Sequence, residues 1–160
     1  MNQHFKDQLT AFIQGRVCLL GIGNRFWHDD GVGSLLAEAL QSCQGFDVID
    51  AGFIPENHLE SVARKSPDTI LMIDATDFGA KPGQVRLLNA DKVTYSGLST
   101  HAGSLRMIAE YLQARTNAGI ALLAIQPGNT SAGEGLSPAV SRSFNTLLEL
   151  LPTTVAKTKS

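Results

Sequence analysis

Three features of the sequence predict an α/β fold, three layers deep, in which a mostly parallel five-stranded sheet carries helices on both faces. Residues 17–21, 69–73 and 120–125 are continuous apolar runs, the pattern of strands buried on both sides of a sheet. Residues 33–43 and 104–114 space their apolar side chains at helical intervals instead. Strand-like and helix-like segments alternate along the chain, the order that parallel strands with helical crossovers require.

Each element has a local justification. Residues 17–21 end on glycine, and Leu35, Leu36, Ala39 and Leu40 then give residues 33–43 one apolar stripe. Residues 46–50 form a second strand ending at Asp50, and residues 57–65 a short helix. Residues 69–73 are the clearest buried strand and stop at the polar stretch 74–77. Pro82 and Gly83 mark a turn, after which residues 84–88 alternate like a half-exposed strand. That strand follows its predecessor too closely for a helical crossover, so it is expected at an edge, paired antiparallel. Residues 90–101 read as loop, 104–114 as helix and 120–125 as the fifth strand. The glycine-rich stretch 126–135 leaves the fifth strand as a candidate substrate-contacting segment, though its glycines read more simply as a flexible connector. Ser137 and Pro138 open a last helix, serine as N-cap and proline in the first turn, running to about residue 151. The chain thus divides into an N-terminal extension (1–16), one α/β domain (17–151) and a flexible tail (152–160).

Composition narrows the function. The chain has 160 residues, 43% hydrophobic and 18% charged, enough for one ordinary core and too apolar for disorder. Its 13 Lys and Arg against 15 Asp and Glu leave a net charge of −2, which gives no support to a nucleic-acid or anionic-membrane partner. No apolar run approaches the roughly 18 residues that span a bilayer. Residues 1–14 carry charges and lack the apolar stretch of a signal peptide. Two cysteines, Cys18 and Cys43, are too few for a disulfide scaffold and read as buried thiols of a cytoplasmic protein.

In open sheets of this kind ligands bind outside the carboxyl ends of the strands. Residues 24–30, 50–56, 74–77 and 126–134 leave those ends, and residues 99–101 enter the following helix from the same direction. The predicted sheet therefore brings Asp30, Asp74 and His101 to one edge. Two carboxylates and an imidazole suit a borderline divalent ion and leave positions for water or substrate. Singly, each has a plainer role: Asp29 or Asp30 as a helix cap, Asp74 as a turn-capping carboxylate, His101 as a solvated loop residue. Their convergence is what favours metal; His4, His28 and His58 belong to no such pattern.

A dinucleotide site is the competing interpretation of the same glycines. Gly21 and Gly23 match its opening, and Asp50 would stand for the ribose-binding acid. The third glycine position, however, is Phe26, and Asp29 with Asp30 put two negative charges where a phosphate would sit. No nucleophile elbow, Walker A lysine, His-Glu-x-x-His helix or paired-cysteine zinc motif is present.

The motifs together resemble a known family. Gly21-Ile-Gly-Asn24 through His28-Asp-Asp-Gly-Val-Gly33 resembles the opening motif of the hydrogenase maturation endopeptidases. Asp50-Ala-Gly52, Pro55-Glu-Asn57, Ile73-Asp-Ala-Thr-Asp77, Thr100-His101, Ile125-Gln-Pro127 and Gly135-Leu-Ser-Pro138 continue it in order. The match covers about residues 17–151 and is most similar to the branch that processes the large subunit of hydrogenase 3.

That resemblance implies a peptidase that removes a short C-terminal extension from a nickel–iron hydrogenase large-subunit precursor after nickel insertion. It carries the family's metal-contacting positions onto Asp30, Asp74 and His101. Many relatives have glutamate at the first of these; Asp30 is shorter with the same charge. Nickel is implied to arrive with the substrate as the signal that insertion is complete, with other divalent ions able to substitute. The general base is left open, Asp77 being a candidate that also fits a solvated turn. The alternative is a non-catalytic metal-sensing or chaperone module that binds the same precursor uncut.

Overall fold

The computed structural model describes residues 1–90 and 102–159. Its strands are β1 (Val17–Ile22), β2 (Asp47–Gly52), β3 (Thr69–Ala75), β4 (Val85–Asn89) and β5 (Gly119–Ile125). They lie side by side in the order β2-β1-β3-β5-β4. β1 pairs parallel with both β2 and β3, and β3 parallel with β5. β4 pairs antiparallel with β5 at the edge, as the short connection after β3 predicts.

The helices are α1 (Gln3–Phe12), α2 (Val32–Leu40), α3 (Leu59–Arg64), α4 (Ala102–Arg115) and α5 (Pro138–Thr158). Strand alternation divides the core into two layers. Leu19, Leu71, Ile73 and Leu123 pack with α1, α2 and α5 on one face. Leu20, Met72 and Leu122 pack with α3 and α4 on the other. Cys18 belongs to the second layer, and burial, with Asp47 nearby, pushes its thiol up to about 12.

Two boundaries differ from the sequence-based expectation. Residues 1–16 are part of the domain: the Asn2 side chain caps α1 by accepting from the Phe5 N–H, and Phe5, Leu9 and Ile13 are buried in the core. Residues 152–158 are no flexible tail, because α5 runs through Pro152 to Thr158. A proline inside a helix costs about 3 kcal/mol. Leu151 and Val155 are fully buried, each contributing about 1.5–3 kcal/mol, and together they offset that cost.

The helix after β1 sits unusually close to the sheet. A Cβ on Gly33 would lie 2.1 Å from the Ile73 carbonyl oxygen and 2.3 Å from that of Ile22. Only glycine lets the first turn of α2 rest on the carboxyl ends of β1 and β3. Those two strands flank the point where the chain order reverses, the usual place for a site in such a sheet.

Candidate functional site at the carboxyl ends of β1 and β3

Beyond β1 the chain turns sharply. Gly23, at φ +150°, donates its N–H to Gly52 O at 2.8 Å, and a Cβ there would lie 2.0 Å from Asp30 O. The loop thus folds back on its own start. A single 3-10 turn, His28–Gly31, joins it to α2. His28 takes φ +44°, a left-handed conformation uncommon outside glycine. It is held there from outside: its N–H donates to Gly133 O at 2.7 Å, and its Nδ1 lies 3.0 Å from Gly135 O.

The two neighbouring aspartates have separate tasks. Asp29 is fully buried. Its Oδ2 accepts from Gly128 N (2.8 Å), Asn129 N (2.9 Å) and Ser137 Oγ (2.7 Å), and its Oδ1 from Ser137 N (2.7 Å). Burial raises the carboxyl, but the hydrogen bonds from Ser137, Asn129 and Gly128 outweigh it and hold Asp29 below the ordinary range. Asp30 is half-buried, and its Oδ2 accepts from Asn24 N at 3.1 Å. The capping role expected of this pair is not what Asp29 performs, since the N-cap of α2 is Gly31, without a side-chain cap bond.

Asp74 lies near the end of β3, fully buried. Burial pushes its carboxyl well above the usual range, the charge of Asp30 pushes it further, and the Ala75 N–H opposes both only in part. The charge of Asp30 therefore reaches the Asp74 carboxyl. His101 lies outside the described residues, and among those described no three His, Cys, Asp or Glu side chains form a metal-binding group. Thr76 continues the extended chain past Asp74, donating its N–H to Ile125 O at 2.9 Å. Its hydroxyl is buried and, among the described residues, has no hydrogen-bond partner.

The acid that a dinucleotide would need is committed elsewhere. Asp50 Oδ2 accepts from Arg25 at 2.7 Å, and its Oδ1 accepts from Ser34 Oγ at 2.7 Å and Gly52 N at 3.1 Å. Asp77 is a turn residue: its Oδ1 accepts from Gly79 N at 3.0 Å and from the Gln126 amide at 3.1 Å. Those bonds, Gly79 first, hold it below the usual range.

Sequence reasoning missed two organisers. Gln126, buried just past β5, accepts the N–H groups of Phe78 (2.9 Å) and Ala80 (3.2 Å) and so shapes the segment after Asp74. Its one visible signal is a glutamine closing an otherwise apolar strand. The second is Asp29, which with Gly133 anchors residues 128–137 to the loop after β1. Residues 126–135, expected to be a flexible connector, are thus tied down at both ends.

Comparison with known proteins agrees with this geometry. The family model for HycI, hydrogenase maturation protease, matches residues 31–153. The hydrogenase 3 maturation protease of Escherichia coli is 34% identical over 112 residues, covering 68% of this chain and 71% of that protein. The crystal structure of a [NiFe] hydrogenase maturation protease HycI from Thermococcus kodakarensis superposes with a TM-score of 0.85 at 29% identity, covering 93% of this chain and 99% of that one. The solution structure of an endopeptidase HycI from Escherichia coli gives a TM-score of 0.74 at 26% identity, covering 84% and 88%. On this fold, this order of motifs and these matches, the chain belongs to the hydrogenase maturation protease family and is a peptidase.

Proposed function

We propose that the protein removes the C-terminal extension of a nickel–iron hydrogenase large-subunit precursor after nickel insertion. In this reading Asp30, Asp74 and His101 meet the metal that the substrate carries. The observation that carries it is a buried carboxyl at the switch point that feels the charge of a second one. Asp74 is buried and further disfavoured as an anion by the charge of Asp30. A cation held by these two carboxylates would relieve both costs. Oxygen and nitrogen donors without a thiolate suit a hold that can be released after each turnover. Asp30 and Asp74 would hold a divalent ion that, when bound, would supply Lewis-acid chemistry and a more acidic water. The half-buried Asp30 is the carboxylate nearer solvent, and Phe26 and Trp27 on the same turn are 65% and 47% exposed, an apolar lip for a peptide. Free Cys18 and Cys43 fit action in the reducing cytoplasm.

The test is cleavage of precursor with and without nickel, followed by mass spectrometry of the released C-terminal peptide. Loss of the peptide only from the nickel-loaded precursor is expected. Equal cleavage of nickel-free precursor would sink the metal signal. Undiminished cleavage by a variant carrying both Asp30→Ala and His101→Ala would sink the proposed site.

A further inference from the structure

A groove of about 790 Å³ lies on the α1 and α5 side of the sheet, beside β4 and the turn before it. It is as large as a typical ligand pocket and separate from Asp30 and Asp74, neither of which lines it. Its floor is apolar, from Phe5, Val85 and Leu87. Its rim carries His4, Lys81 and Arg142, contributed by three different segments, and among the described residues no Asp or Glu. In a chain of net charge −2 that is a local reversal of sign. Among the described residues neither Lys81 nor Arg142 has a carboxylate partner. The Arg86 guanidinium is engaged elsewhere, 4.7 Å from the Phe78 ring centre.

Among the described residues, the groove also runs along an unpaired sheet edge. β4 is the last strand of the sheet. Gln126 N donates to Gln84 O at 2.8 Å, while Ile125 O is taken by Thr76 N at 2.9 Å. With Val85 opposite Ile125, antiparallel alternation turns the backbone N–H and C=O of Val85 and Leu87 outward. An extended peptide laid there gains main-chain hydrogen bonds from β4, apolar contact on alternate residues and cationic partners on the rim.

We propose that this groove is an exosite for an extended acidic segment of the protein substrate, added as a strand along β4. The assignment of the segment to the substrate rests on the peptidase reading above; the binding chemistry does not. The wall of the groove is linked to the candidate site. Gly83 N donates to Gln126 O at 2.8 Å, and Gly128, which binds Asp29, packs against Pro82. A segment held here keeps its neighbouring chain near the carboxyl edge of the sheet, raising its effective concentration at Asp30 and Asp74.

The experiment uses a short fluorescein-labelled peptide of alternating glutamate and valine, titrated with the full chain and followed by anisotropy. Saturable binding that weakens with salt is expected. The Lys81→Glu, Arg142→Glu double variant, both sites exposed, should melt like the parent and bind at least about tenfold more weakly. A peptide N-methylated on the amides of one edge should lose binding, because only strand addition needs those donors. No saturable binding, equal binding by the double variant, or equal binding of the methylated peptide would each overturn the exosite. Direct binding separates this from the catalytic reading: the peptide should bind Asp30→Ala as it binds the parent. Unlabelled peptide should raise KM for precursor cleavage and leave kcat in place; inhibition through kcat alone would count against the exosite.

Discussion

Asp29 and Asp74 are both completely buried carboxyls at the same edge of the sheet, yet their surroundings act in opposite directions. Around Asp29 four hydrogen bonds converge from Gly128, Asn129 and Ser137, and the group is held in its charged form. Around Asp74 burial and the neighbouring Asp30 oppose the charge, and the group is pushed toward its neutral form. A buried carboxyl of the first kind is a strut. One of the second kind costs the resting fold something and is stabilised by whatever positive group arrives. Burial alone therefore does not distinguish these two acids; the sign of the perturbation does.

The sharpest way to break that contrast is catalytic. Asp74→Asn should lower the rate of precursor cleavage at least about a thousandfold, some 4 kcal/mol in the transition state. Cleavage within about tenfold of the parent would make Asp74 a structural residue. Asp29→Ala should instead act on the fold, removing the acceptor for four hydrogen bonds and costing about 3 kcal/mol. In a domain of this size that lowers the melting temperature by about 6–12 °C.

Stability should respond to Asp74→Asn with the opposite sign. The folded carboxyl titrates above its unfolded value, so at neutral pH its ionisation works against folding. Replacing it with the neutral isostere should stabilise by about 1 kcal/mol, readable in urea unfolding. A large loss of stability would place Asp74 beside Asp29 as a strut.

Two smaller effects refine the comparison. Asp29 titrates below its unfolded value of about 3.9. Its stabilisation is complete above that value and is lost as pH falls through the lower folded one. The melting-temperature gap between parent and Asp29→Asn should therefore be constant near neutrality and shrink below about pH 4. Thr76→Val removes a buried hydroxyl that has no partner among the described residues, so it should be neutral or stabilise by about 1 kcal/mol. A loss of more than that would show the hydroxyl bonded in solution.

Much of the sheet was legible because its information is local. Residues 17–21, 69–73 and 120–125 each announce a buried strand, and Pro82 with Gly83 leaves too few residues for a crossover, which places β4 antiparallel at the edge. The ends of the domain were not legible. Phe5, Leu9 and Ile13 form an apolar stripe too short to be told from an amphipathic extension, and Pro152 is an ordinary helix-stop signal that packing overrides. Of the candidate site, Asp30 and Asp74 follow from the rule about strand ends, whereas His101 lies outside the described residues. The division of labour between Asp29 and Asp30 could not be read from two adjacent identical residues. It depends on partners about a hundred positions away, and no local pattern encodes them.

That distance has a consequence for how the site comes into being. Asp29 meets Ser137 across 108 positions of sequence. Loop closure over such a span is paid before the contact repays it, so the turn carrying Asp30 cannot settle early in folding. A nascent chain that has exposed β1, α2 and β3 but not yet Ser137 has both carboxylates and no fixed arrangement of them. This edge of the sheet is then among the last parts of the molecule to settle, and a half-made chain holds neither carboxylate in its final place.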